Sequence, residues 1–159
     1  RFPANVTPGK AKVGGNYVNR ALARIEAAQQ GADEALLLDA QGFVAEGSGE
    51  NIFFLRHDKL YAVEHSVNLM GITRESVITI AKDLGYQVHE VRATRDQLYM
   101  ADEVFMVGTA AEVTPVSSID QRAIGTGLAG EHSMKIRAAY LEAVTGKNPK
   151  YNSWLTYLK

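Results

Sequence analysis

Four short apolar runs crowd the stretch from Ala35 to Val63, with only a few turn-forming residues between one run and the next. Ala35-Leu36-Leu37-Leu38-Asp39 and Phe43-Val44-Ala45-Glu46 flank Ala40-Gln41-Gly42 and read as a hairpin or two sequential strands. Gly47-Ser48-Gly49 and Glu50-Asn51 then interrupt the pattern. Beyond them, Ile52 to Arg56 and Leu60-Tyr61-Ala62-Val63, joined by His57-Asp58-Lys59, form a second antiparallel pair. A chain with this block near its centre has to build a sheet.

Helical periodicity surrounds the block. From Asn16 to Gln30 the apolar residues Tyr17, Val18, Ala21, Leu22, Ile25 and Ala28 recur at helical spacing, with Asn16 as N-cap and Gly31 as C-cap of an amphipathic helix. Thr73 and Ser76 head a second helix, whose apolar face is Val77, Ile80, Ala81 and Leu84 and which Gly85 closes. Tyr86 to Val91 alternates as a strand, Thr94 to Met100 is a short helix capped by Thr94, and Val104-Phe105-Met106-Val107 is a buried strand. Val113 to Ile119 extends again, broken by Pro115, and Asp120-Gln121-Arg122 turns. A last long helix runs from Glu131 to Thr145 on Met134, Ile136, Ala138, Tyr140, Leu141 and Val144. The tail with Trp154, Leu155, Tyr157 and Leu158 adds a short terminal helix. Strands and helices mix without strict βαβ alternation, so the expected fold is a single α/β (mixed α+β) domain on a mixed sheet flanked by helices.

Composition narrows the partners. The 159 residues suit one domain burying about two-thirds of its unfolded surface. The 17 basic and 18 acidic residues balance, which speaks against nucleic acid as a partner and for small molecules or protein. Cysteine is absent, excluding disulfides and thiolate metal sites and fitting a reducing cytoplasm. No apolar run approaches the roughly 20 residues a membrane helix needs. The chain opens on Arg1-Phe2-Pro3-Ala4-Asn5, with no initiator methionine and no signal-peptide core, so it is expected to be the back part of a longer, cytoplasmic protein.

Four places carry candidate chemistry. Lys12 sits among Ala11, Val13, Gly14 and Gly15 just ahead of a helix, with Lys10 as its only charged neighbour. Desolvation and a like charge both favour the neutral, nucleophilic amine, whereas an ordinary lysine before a helix is solvated. Glu46 closes an apolar strand where Gly47-Ser48-Gly49 lets backbone approach. It is either a carboxylate drawn inward, with Glu50-Asn51 in support, or an exposed strand end. Gly71-Ile72-Thr73 at a helix start, and Gly108-Thr109-Ala110-Ala111 after a buried strand, offer backbone N–H groups and hydroxyls to an anion. His57, His65, His89 and His132 lie at no metal-ligand spacing, so no metal site is assigned, and Ser48 has no nucleophile-elbow pattern.

An amine, a carboxylate and two anion cradles are the parts a pyridoxal phosphate enzyme needs. Lys12-Val13-Gly14-Gly15-Asn16-Tyr17, Glu46-Gly47-Ser48-Gly49-Glu50-Asn51, Gly71-Ile72-Thr73-Arg74 and Gly108-Thr109-Ala110-Ala111-Glu112-Val113-Thr114-Pro115-Val116 occur in that order. In this order they resemble the class IV (fold type IV) aminotransferases, most closely the branched-chain amino acid members. The resemblance runs through the Trp154-Leu155-Thr156-Tyr157 tail.

The resemblance implies a D-amino acid aminotransferase-like fold, with this chain as its larger C-terminal domain. It makes Lys12 the Schiff-base and proton-transfer residue on pyridoxal 5′-phosphate. Tyr17 would bond the ring's phenolic oxygen, and Glu46 the pyridine nitrogen. Asn51 joins the cofactor-binding set, as do Ile72, Thr73 and Thr109 for the phosphate, while Ala110 and Ala111 would bind the substrate carboxylate through their N–H groups. The implied reaction moves an amino group from leucine, isoleucine or valine to 2-oxoglutarate. Family members are about twice as long, and the implied partners are an N-terminal domain and a second subunit of a homodimer or higher homo-oligomer. D-Amino acid aminotransferase and aminodeoxychorismate lyase share the main elements, and a structural or phosphate-binding domain is the non-enzyme alternative.

Overall fold

The computed structural model describes residues 2–3, 5–64 and 68–158. Two strands, β1 (Leu36–Leu38) and β2 (Val44–Gly47), form the first antiparallel pair, and β3 (Asn51–Arg56) and β4 (Lys59–Val63) the second. His57 and Asp58 take φ of +50° and +59° between Arg56 and its partner Lys59. A two-residue turn with both residues left-handed matches the natural twist of a hairpin. Three further strands follow: β5 (Val88–Val91), β6 (Glu103–Gly108) and β7 (Glu112–Val116). They join the second pair in one five-stranded sheet of order β5-β4-β3-β6-β7, in which only β4 and β5 run parallel. A small hairpin, β8 (Ser118–Ile119) with β9 (Arg122–Ala123), closes the sheet region.

The two central strands are buried on both faces. Phe53 and Leu55 of β3 and Phe105 and Val107 of β6 face a core completed by α2 (Ile72–Asp83) and α4 (Glu131–Val144). Ile52, Phe54 and Val104 face the other way, onto Val44, Ile119, Ile124 and Leu98 of the short α3 (Arg95–Tyr99). Alternate side chains pointing to opposite faces explain why these strands read as continuous apolar runs. Thr94 caps α3 in a capping box with Gln97, as its sequence suggests. No helix among the described residues is long and apolar enough to cross a membrane.

Three local expectations change. Pro115 does not break its strand: it sits within β7 opposite Phe105, and β7 is an edge strand, where a missing N–H costs no ladder bond on the open side. In α4, Ile136, Tyr140 and Ala143 are buried, while Met134 and Val144 lie exposed. The largest change concerns α1 (Asn16–Gln29), whose N-cap is Gly15. Asn16 lies inside the helix, and its side chain accepts a 2.7 Å hydrogen bond from the Thr7 hydroxyl. The face that α1 buries is polar, Asn16 and Arg20, and its apolar residues Val18, Leu22 and Ile25 are 63, 62 and 56% exposed.

The tail ends in a 3-10 helix, Pro149–Trp154, whose Tyr151 hydroxyl donates to Asp83 Oδ2 (2.7 Å), while Lys150 Nζ meets Asp83 Oδ1 (2.7 Å). The Lys150 and Tyr151 bonds hold the Asp83 carboxyl below its usual 3.8, whereas burial and the Asp83 bond push the Tyr151 phenol up to about 12. A depressed carboxyl stabilises the docked tail above its unfolded pKa and loses that stabilisation as pH falls through the folded one. A raised phenol stabilises it below about pH 10 and loses that as pH rises through the folded value. Trp154, the chain's one tryptophan, packs against Tyr151 in a tilted arrangement with ring centroids 4.5 Å apart. Its fluorescence is expected to stay constant at neutral pH and to shift below about pH 4. In Asp83→Asn the acid shift disappears, and a shift that persists there contradicts this anchoring.

Candidate active site

Glu46 on β2 is 2% exposed, which rules out the exposed strand end. A carboxylate taken out of water needs donors or a cation, and it has both. Arg20 Nη2 donates to Glu46 Oε1 at 2.8 Å, and the Leu69 N–H donates to Glu46 Oε2 at 3.1 Å. The same guanidinium lies 3.4 Å from the Ser48 carbonyl oxygen and 4.7 Å from the centre of the Tyr17 ring. Arg20 thus joins Tyr17 of α1 to Glu46 of β2.

Leu69 extends the connection. Its carbonyl accepts from Asn51 Nδ2 (2.9 Å), and Asn51 Oδ1 packs against Gly71 so tightly that a Cβ there would sit 2.2 Å from it. A side chain at Gly71 would have to displace the Asn51 amide from this position. Gly71 offers no side-chain cap to the first-turn N–H groups, which belong to a segment with an Ile72 that is 87% exposed and a buried Thr73. Arg74, fully buried, anchors this turn by donating to the Val63 carbonyl (3.1 Å) and to Glu90 Oε2 (2.7 Å).

The β3–β6 register, which pairs Asn51 with Val107, brings the turn after β6 to the same end of the sheet. A Cβ at Gly108 would lie 3.2 Å from the Gly49 carbonyl oxygen. Thr109, Ala110 and Ala111 form that turn, with Thr109 and Ala110 exposed and the Thr114 hydroxyl donating to the Ala111 carbonyl at 2.7 Å. Beside them, burial raises the Glu50 carboxyl above its ordinary value, opposed by the Gly49 N–H that donates to it at 2.9 Å.

Tyr17, Glu46, Asn51, Ile72, Thr73, Thr109, Ala110 and Ala111 therefore converge on one end of the sheet. Lys12 stands apart from that packing. It is exposed, as are Ala11, Val13, Gly14 and Gly15, so the described residues do not bury it as its apolar surroundings suggested. Sequence reasoning missed Arg20, Leu69 and the fully buried Asn68, whose Nδ2 donates to the Ala45 carbonyl (3.1 Å). The one available signal was Arg20 at i+3 from Tyr17, which places the two side chains on one face of the helix. Among the described residues no three His, Asp or Glu side chains group to hold a metal; His65 lies outside the described residues.

The family model for class IV amino-transferases matches residues 1–119. The chain belongs to that family. It is 45% identical over its whole length to the branched-chain-amino-acid aminotransferase of Pseudomonas aeruginosa and covers 52% of that protein. Against the probable branched-chain-amino-acid aminotransferase of Aquifex aeolicus it is 51% identical, over 96% of this chain and 50% of the relative. The class IV chain spans about half the length of these relatives.

Solved structures agree on the fold. The T.th. branched-chain amino acid aminotransferase complexed with N-(5′-phosphopyridoxyl)-L-glutamate superposes with a TM-score of 0.99 at 72% identity, over all of this chain and 54% of that one. The Thermobaculum terrenum enzyme in its PLP form gives 0.95 at 42% identity, over 98% and 52%. The mixed sheet and its helices are those of a fold type IV aminotransferase.

Proposed function

We propose that this chain is the C-terminal, cofactor-bearing domain of a branched-chain amino acid aminotransferase that exchanges amino groups between leucine, isoleucine or valine and 2-oxoglutarate on pyridoxal 5′-phosphate. The observation that carries the reading is the convergence of Tyr17, Glu46, the uncapped start of α2 and the Thr109–Ala111 turn on one end of the sheet. These groups fit the cofactor on their own terms. The cap-free helix start beneath Gly71 suits a phosphate, and a buried carboxylate suits a protonated ring nitrogen.

Pyridoxal phosphate supplies an electron sink that makes loss of the substrate Cα proton feasible. The chain's own residues do the rest. Lys12 Nζ would hold the cofactor and, when free as an amine, would accept the substrate Cα proton. The Tyr17 hydroxyl orients the ring, and the Glu46 carboxylate accepts from its nitrogen. The Ile72 and Thr73 N–H groups, with the Thr73 and Thr109 hydroxyls, bind the phosphate. Asn51 acts on that cradle through Leu69 and Gly71, and the Ala110 and Ala111 N–H groups receive the substrate carboxylate. Lys12 is exposed here, so its desolvation falls to surfaces beyond this chain: an N-terminal domain and, in a cytoplasmic homodimer or larger homo-oligomer, a second subunit. The exposed Val18, Leu22 and Ile25 on α1, which begins four residues after Lys12, support this reading.

A substrate panel tests the assignment. The longer protein, supplied with pyridoxal phosphate and 2-oxoglutarate, is expected to turn over L-leucine, L-isoleucine and L-valine, to leave D-alanine and aminodeoxychorismate unchanged, and to lose this activity when cut back to these 159 residues. Preference for D-alanine, or lyase activity on aminodeoxychorismate, assigns the chain to another branch of the family.

A further inference from the structure

Arg20 is 5% exposed, yet it sits on the helix whose apolar side faces solvent. Its guanidinium meets three groups at once: the Glu46 carboxylate at 2.8 Å, the Ser48 carbonyl at 3.4 Å and the face of Tyr17 at 4.7 Å. Its Nε is buried with no hydrogen-bond partner among the described residues. Stability alone is a weak reason for such an arrangement, because buried ion pairs recover little beyond their desolvation cost and apolar replacements of similar volume often do as well. The contacts instead tie together two groups assigned to the cofactor ring and the helix that leads out of the Lys12 segment.

Resting on the function proposed above, we infer that Arg20 is a positioning residue. It fixes the Glu46 carboxylate from one side while the Leu69 N–H fixes it from the other, and it stacks on Tyr17, so that both side chains meet the cofactor ring in one geometry. Only a planar fork does this: a guanidinium donates toward Glu46 and Ser48 while its face lies on an aromatic ring, whereas a lysine ammonium reaches one of them as a point charge. Arg20 touches neither cofactor nor substrate in this scheme and acts through Glu46 and Tyr17.

The test uses the longer protein with pyridoxal phosphate, comparing wild type with Arg20→Gln and Arg20→Lys. Four quantities are read: cofactor affinity by absorbance titration, the visible spectrum of the bound cofactor from about pH 6 to 9, kcat and KM for leucine, and thermal unfolding of the cofactor-free protein. Arg20→Gln is expected to weaken cofactor affinity and lower kcat about 10- to 100-fold, as loss of a group orienting a cofactor ligand does. KM for leucine should stay within about two-fold, since the substrate's own contacts are untouched. The pH course of the spectrum should move, and Arg20→Lys should fall between wild type and Arg20→Gln. Folded variants with wild-type affinity and an unchanged spectrum overturn the inference. If only Arg20→Lys folds, wild-type behaviour in that variant overturns it equally. A wild-type protein that binds pyridoxal phosphate while the variants behave alike defeats the role of Arg20 alone. A wild-type protein that binds none defeats the proposed function and this inference together.

Discussion

Lys12→Ala in the longer protein is expected to lower kcat/KM for leucine by about 1,000-fold or more, since it removes both the covalent attachment and the proton-transfer group, of which the second alone is worth about 100- to 10,000-fold. Borohydride reduction of the wild type with pyridoxal phosphate should fix the label on the peptide carrying Lys12, and the variant should show none there. In the 159-residue chain the Lys12 side chain is exposed, so there the same substitution should change stability by no more than about 0.5 kcal/mol. Loss of activity with an unchanged melting curve therefore separates a chemical role from a structural one. Specific labelling of a different lysine, unaltered in Lys12→Ala, contradicts the assignment. Scattered labelling in the 159-residue chain alone, with clean labelling in the longer protein, shows that the site needs its other half.

Phe105→Ala is expected to have the largest effect on stability. Phe105 and Phe53 are both fully buried, face each other directly in the β3–β6 register, and stack with centroids 5.2 Å apart. Truncation removes the transfer free energy of the ring, leaves a cavity that α2 and α4 cannot fill without moving, and forfeits the stacking. Phenylalanine-to-alanine changes in such cores cost about 3–5 kcal/mol. That is a large part of the roughly 5–15 kcal/mol by which a typical domain is stable. Urea titration should show a midpoint shifted to lower denaturant with an unchanged slope. Val18→Ala on the exposed face of α1 serves as the control, with a shift within about 0.5 kcal/mol. Comparable losses for the two variants would mean that the face of α1 is covered, and that the sheet centre is not where the stability lies.

Much of the molecule was legible one segment at a time. The hairpin through His57 and Asp58, the capping box at Thr94, the left-handed glycines after α1 and α2, and the buried strand Val104–Val107 follow from rules that span a few residues. Pro115 was misread because a proline forbids only the hydrogen bond it cannot donate, and whether that bond is needed depends on a neighbouring strand that no local window contains. The first helix was misread for a related reason. Periodicity correctly identified it as amphipathic, but the rule that the apolar side turns inward assumes that the chain itself provides the inside. Here the polar side turns in, because Arg20 finds Glu46.

By itself, the sequence determined the local elements and their order, since these depend on residue type and on spacings of two to four positions. Only the tertiary structure decided the strand order β5-β4-β3-β6-β7, the outward apolar face of α1, and the chain of contacts from Tyr17 through Arg20, Glu46, Leu69 and Asn51 to Gly71. Those contacts join residues as many as 26 positions apart. An ion pair or hydrogen bond at that separation exists only once the sheet has closed the loop entropy between its ends and removed the water that would otherwise satisfy both partners.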